Sequence, residues 1–226
     1  MGIFDFLKQN KAAGEDIRPV MPSQIYDAAE MELKDILAPS ALGIQPKALN
    51  LGDKVVRSYF IISYPRYLNE GWLSPIINLD KVFDVSIHIS PLDTGIVMKE
   101  FQKKVAEVES QIMVREEQGQ VRDPSLETAY EDLEDLRNGL TQSQEKMFEV
   151  GLYLSLYGNN EDEIAKVETE IRTILESKLV YVKPALFQQD DGFLSVLPVA
   201  QDKLLVHSKL NTSPLSSFFP FVSFDL

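Results

Sequence analysis

Residues 83–90 read FDVSIHIS and residues 148–157 read FEVGLYLSLY. In the first, Phe83, Val85, Ile87 and Ile89 alternate with Asp84, Ser86, His88 and Ser90. In the second, Phe148, Val150, Leu152, Leu154 and Leu156 alternate with Glu149, Gly151, Tyr153, Ser155 and Tyr157. A period of two sends alternate side chains to opposite faces, so each segment reads as a half-exposed antiparallel strand. Pro91 closes the first.

Between these strands the period changes. Met98, Phe101, Val105, Val108 and Ile112 step by three and four, and Leu126, Tyr130, Leu133, Leu136 and Leu140 repeat the pattern after a break over 119–124. Each seam is too short for a free-standing coiled coil and predicts an antiparallel helix pair, inserted over about residues 93–146. After the second strand, Ile164, Val167, Ile171, Ile174 and Leu175 mark a helix over 160–178. Residues 180–188 and 193–198 then read as a hairpin about the turn Asp190-Asp191-Gly192. Upstream, Gly52-Asp53 predicts a turn between strands 48–51 and 55–64, and residues 69–78 a short helix carrying Trp72, the only tryptophan. A further amphipathic helix is expected over 25–37, capped by Ser23 and stopped by Pro39. Residues 1–24 read as a flexible lead-in.

The order is that of an α+β domain over 25–212: a ferredoxin-like split βαβ antiparallel sheet with an inserted helix pair and its helices on one face. The other face is expected to show Arg57, Tyr59, Ile61, His88, Tyr153, Tyr157 and Tyr181.

Apolar residues at 44% and charged residues at 25% are those of a globular domain with a real core. No cysteine occurs, which removes disulfides, thiolate metal sites and thiol catalysis. The net charge of −13 is concentrated between Asp93 and Val180, where 20 acidic residues stand against 10 basic. Such a field repels phosphate backbones. No run approaches the length of apolar sequence that crosses a bilayer. The N-terminal residues fit neither a signal peptide nor a myristoylation site.

The chemistry is mostly negative. No Gly-Lys pair occurs, so a phosphate-binding P-loop has no place to form, and no G-x-G-x-x-G exists. His88 and His207 are far apart in sequence and make a poor zinc pair. Ser86, His88 and Asp84 supply the residue types of a catalytic triad, but parallel side chains on one strand face cannot form its relay. No catalytic, metal or cofactor site is therefore assigned. Two readings of the tyrosines remain. Tyr59, Tyr153, Tyr157 and Tyr181 beside Arg57 could stack RNA or single-strand bases, or pack against a protein neighbour. The acidity, and the absence of an RNA-recognition box, favour the protein contact.

The C-terminal stretch from Ser213, SPLSSFFPFVSFDL, places Phe218, Phe219, Phe221 and Phe224 within seven positions. Clustered large hydrophobes of this kind mark a contact surface, and residues 213–226 are read as an apolar linker toward a further domain.

Several segments together resemble a known family. They are DILAPSAL, VVRSYFIISYPRYLNEGWLSPII, FDVSIHISPLD, the helix pair, EVGLYLSLYG and LVHSKLNTSPLSSFFPFVSFDL. The most specific elements are Arg57 with Pro65-Arg66 and Trp72, the turn at Pro91, and the pair Pro220-Phe221. From about residue 30 onward the chain resembles the N-terminal portion of the conjugative-transfer, type IV secretion motor ATPases (the TraC/TrbE/CagE-like group). The resemblance implies a docking module that precedes a RecA-like ATPase domain. That module would join the motor to inner-membrane channel subunits at the cytoplasmic face of the membrane and assist homo-oligomer assembly. ATP and Mg are implied only for the motor, whose Walker residues match no position here. Arg57, Tyr59, Arg66, Trp72, Tyr153, Tyr157, Phe218, Phe219, Pro220 and Phe221 are the expected interface residues. Nucleic acid is not an expected partner.

Overall fold

The computed structural model describes residues 41–219 apart from Arg66 and Arg122. The lead-in over 1–24, the helix expected over 25–37, Arg66, Pro220 and Phe221 lie outside the described residues. Among the described residues, seven strands form one open antiparallel sheet, accompanied by six helices.

Two long strands make its centre. They are β3 (Lys54–Ser63) and β5 (Met147–Gly158), paired so that Arg57 opposes Leu156 and Tyr59 opposes Leu154. The hairpin expected at Gly52 is present: β2 (Leu49–Leu51) pairs with β3, and Gly52 takes the left-handed φ of 62° that this turn demands. β1 (Leu42–Ile44) adds to β2. β4 (Phe83–Pro91) pairs with β5 along its full length and has no strand on its other edge among the described residues. β6 (Tyr181–Pro184) pairs with β3, and β7 (Ser208–Asn211) with the start of β5.

The helix expected over 69–78 is only α1 (Ser74–Ile77), because Gly71 at φ 70° breaks the regular backbone ahead of it. The helix pair is α2 (Thr94–Glu117) and α3 (Pro124–Thr141). Asp93 caps the first by accepting the Ile96 N–H at 3.0 Å, and Asp123 caps the second by accepting the Ser125 N–H at 3.0 Å. An Arg115–Asp123 ion pair at 3.2 Å spans their connection. Val97, Leu140 and Met147 form a small core where the pair joins the sheet, and most of the remaining seam is only partly buried.

One sheet face is covered by α4 (Glu161–Glu176), whose Ile164, Val167, Ile171 and Leu175 pack on Leu152, Leu154, Leu156 and Ile61. Its first turn carries Glu161, Asp162 and Glu163 behind an Asn160 cap, as the helix dipole favours.

The other face is covered too, which corrects two expectations. Residues Gln189–Val196 form α5 rather than the second strand of a hairpin, and α5 lies on the face expected to be open. Asp190 and Asp191 belong to its first turn. Gly192 serves close packing rather than a turn, since a Cβ there would lie 2.5 Å from Ser58 Cβ. Tyr153, Ala185, Val196 and Leu204 make a second core on this side. α6 (Thr212–Ser216) follows β7 and brings Phe218 into the first core.

Candidate functional site

The residues expected on one outward face divide between the two faces. Arg57, Tyr59 and Ile61 point toward α4, whereas His88, Tyr153 and Tyr157 point toward the α5 side. Tyr59 is 2% exposed and Tyr153 fully buried, so neither ring presents a stacking surface. The cause is register: Tyr59 opposes Leu154, so Tyr153 lies opposite Phe60 and on the reverse side.

On the α4 face, Glu168 gathers three donors. Tyr59 Oη donates to its Oε2 at 2.6 Å, Arg57 Nη1 to the same oxygen at 3.2 Å, and Arg172 Nη2 to Oε1 at 2.6 Å. Burial pushes the Glu168 carboxyl up, but the hydrogen bonds from Tyr59, Arg172 and Arg57 outweigh it and hold it below the ordinary value. The Tyr59 phenol is pushed up by burial and by the neighbouring carboxylate. Arg57 and Tyr59 thus tie sheet to helix.

On the α5 face, Tyr153 Oη donates to Asp202 at 3.0 Å and accepts the Val206 N–H at 3.2 Å. Asp202 also accepts the Leu205 N–H at 2.9 Å and meets His207 Nε2 at 2.6 Å. Burial raises the Asp202 carboxyl, but the hydrogen bonds from His207, Leu205 and Tyr153 together keep it below the ordinary range. Ser86 Oγ and His88 Nε2 both bond the Ser195 carbonyl, at 2.9 and 2.7 Å. These contacts hold the segment 195–207 against the sheet. Tyr157 Oη donates to Asp84 at 2.6 Å.

Trp72 and Phe218 pack edge to face with ring centroids 5.2 Å apart, and Tyr64 lies 5.2 Å from Phe218 and 6.1 Å from Trp72. Trp72 and Phe218, expected at an interface, are instead buried in the chain's own core; Phe219, the next residue, is 66% exposed. The side chains of Tyr64, Trp72 and Ser74 each bury a polar atom with no hydrogen-bond partner among the described residues.

A groove of about 740 Å³ runs beside the unpaired edge of β4. Val85, Ile87 and Ile89 line one side, and Leu197, Pro198 and Leu205 the other.

No family model matches this sequence, and no curated protein shows significant similarity to it. Among the described residues, no group of His, Asp and Glu is placed to hold a metal ion, and no helix is long and apolar enough to cross a membrane.

Sequence reasoning did not single out Glu168, Asp202 or Gln189. The first two had a signal, since each buried tyrosine hydroxyl requires a partner. Gln189 had none, because its role depends on the gap between two strands.

Proposed function

We propose that the chain is the assembly module of a type IV secretion (conjugal transfer) motor, tethering an ATPase domain to inner-membrane channel subunits at the cytoplasmic face. ATP and Mg chemistry then belongs to that adjoining domain. The observation that carries this reading is the aromatic clamp. Phe218 is locked between Trp72 and Tyr64 in the main core, immediately ahead of the Pro220-Phe221 pair. A load on the segment that follows would therefore pull on the sheet itself rather than on a loose tail.

The core strand order β6-β3-β5-β4, all antiparallel, with α1 and α4 packed in one core, supports a ferredoxin-like split βαβ reading. The helix pair then replaces the connection between β4 and β5. α5 is an addition on the second face.

The test is reconstitution. The chain, a separately produced ATPase domain of the same protein class, and the channel subunits are mixed and co-purified. Retention of both partners, with loss on Phe218→Ala, is expected. Failure of the wild-type chain to retain either partner rejects the proposal. Burial of Tyr59 and Tyr153 counts against the alternative of a base-stacking module, although Tyr181 is exposed. A salt-dependent affinity for labelled oligonucleotides would restore it.

A further inference from the structure

The outer edge of β4, unpaired among the described residues, has a direction and a chemistry. Leu92 N–H donates to Met147 O at 2.9 Å and Tyr157 N–H to Val82 O at 3.4 Å, at either end of the β4–β5 register. In an antiparallel ladder this parity repeats every second residue. The even-numbered residues of β4 therefore bond β5, and the backbone N–H and C=O groups of Val85, Ile87 and Ile89 point outward. Natural proteins guard such an edge with lysine, proline or a covering element. Over 83–90 there is neither lysine nor proline; Pro91 guards only the last position of β4, and Ile89 is half exposed. Instead, the segment 197–205 stands beside the edge as a wall, leaving a groove.

No lysine or arginine lines the groove; His88 and His207 do, and Asp202 stands on the wall side, bonded to His207 at 2.6 Å. Asp84 lies on the same sheet face at the start of β4. The whole chain carries −13. An extended segment laid along the edge would place alternate side chains beside Val85, Ile87 and Ile89, and the others toward Asp84 and Asp202.

We propose that the β4 edge binds a partner protein by strand addition, the incoming segment being extended and alternating apolar with basic side chains. A second copy of this chain fits less well, because two bodies of charge −13 repel. The proposal stands whether or not a motor adjoins the module.

The probe is a fluorescein-labelled (Lys-Val)4 peptide, followed by anisotropy at low and high salt against the full chain. Two peptide controls are (Glu-Val)4 and a (Lys-Val)4 N-methylated at every residue, which keeps its charge but cannot donate backbone hydrogen bonds. Two variants are Ile87→Pro, whose lost N–H faces away from β5, and Ile89→Lys, which leaves every backbone group in place. Salt-sensitive binding is expected, weakened at least tenfold by either variant, by N-methylation and by the acidic sequence. If Ile87→Pro does not fold, Ile89→Lys and the peptide controls decide alone. Equal binding of the N-methylated peptide would reduce the effect to bulk charge and overturn the proposal. So would self-association of the chain abolished by Ile89→Lys, which would assign the edge to a second copy.

Discussion

At Ser58 the outer edge of β3 passes from β2, which ends its pairing at Val56, to β6, which begins at Tyr59. Neither strand reaches the Ser58 N–H. The fully buried Gln189 fills the gap, its Oε1 accepting that N–H at 2.7 Å while its Nε2 donates to Ala185 O at 2.8 Å. An unmet buried backbone group costs about 1–3 kcal/mol. Ala185 O keeps the Gln188 N–H at 3.1 Å, so Gln189→Leu orphans the Ser58 N–H alone and should lower the unfolding free energy by about 1–3 kcal/mol in a urea titration; a loss below about 0.5 kcal/mol would contradict this account. The tyrosines offer a sharper contrast. Tyr59→Phe removes a donor from a partly buried carboxylate and should cost about 1.5–3 kcal/mol. Tyr64→Phe removes a buried hydroxyl with no hydrogen-bond partner among the described residues, and should be neutral or stabilising in the same titration. Equal losses for the two would mean that the bond from Tyr59 to Glu168 adds nothing to stability.

Elements were legible in the sequence where local pattern and tertiary role agree. The alternation in 83–90 and 148–157 gives β4 and β5, and apolar residues spaced by three and four give α2, α3 and α4. Two features were hidden. Asp190-Asp191-Gly192 has the composition of a turn, yet the glycine is there because α5 presses against Ser58. The faces of Tyr59 and Tyr153 depend on how β3 and β5 are paired, and a one-residue change of register exchanges the faces; neither strand states its register alone. The candidate site suffered most from this, because its residues were chosen by face. The helix pair, by contrast, is both legible and separable. Leu92 and Met147 form a hydrogen-bonded pair at its base, the geometry that a two-residue turn closes. Replacing residues 93–146 by Asn-Gly should leave a cooperatively melting sheet domain in circular dichroism. Loss of a cooperative transition would show that α2 and α3 are part of the folding unit rather than an addition to it.

For the molecule as a whole, each sheet face closes on one partly buried carboxylate, Glu168 against α4 and Asp202 against the 195–207 segment. Both are held below their ordinary values of 4.5 and 3.8. A carboxyl whose pKa is lower in the folded state stabilises above its ordinary pKa, and that contribution is lost as the pH falls through the folded one. Acting against this, protonation of surface carboxylates relieves the self-repulsion of a chain at −13. The Glu168 and Asp202 contributions are complete above their ordinary values and are lost between those values and the lower folded ones. Stability, followed by urea midpoints from pH 7 to pH 2.5, should hold or rise slightly toward the ordinary carboxylate range and then fall below it. Glu168→Gln and Asp202→Asn should each lower stability at pH 7 and flatten the acid limb, with the double variant flattest. The two sites lie on opposite faces and share no ligands, so their effects should add. An acid limb that stays parallel to that of the unmodified chain in both single variants would mean that neither carboxylate governs acid unfolding. The two faces would then be held by their apolar cores alone.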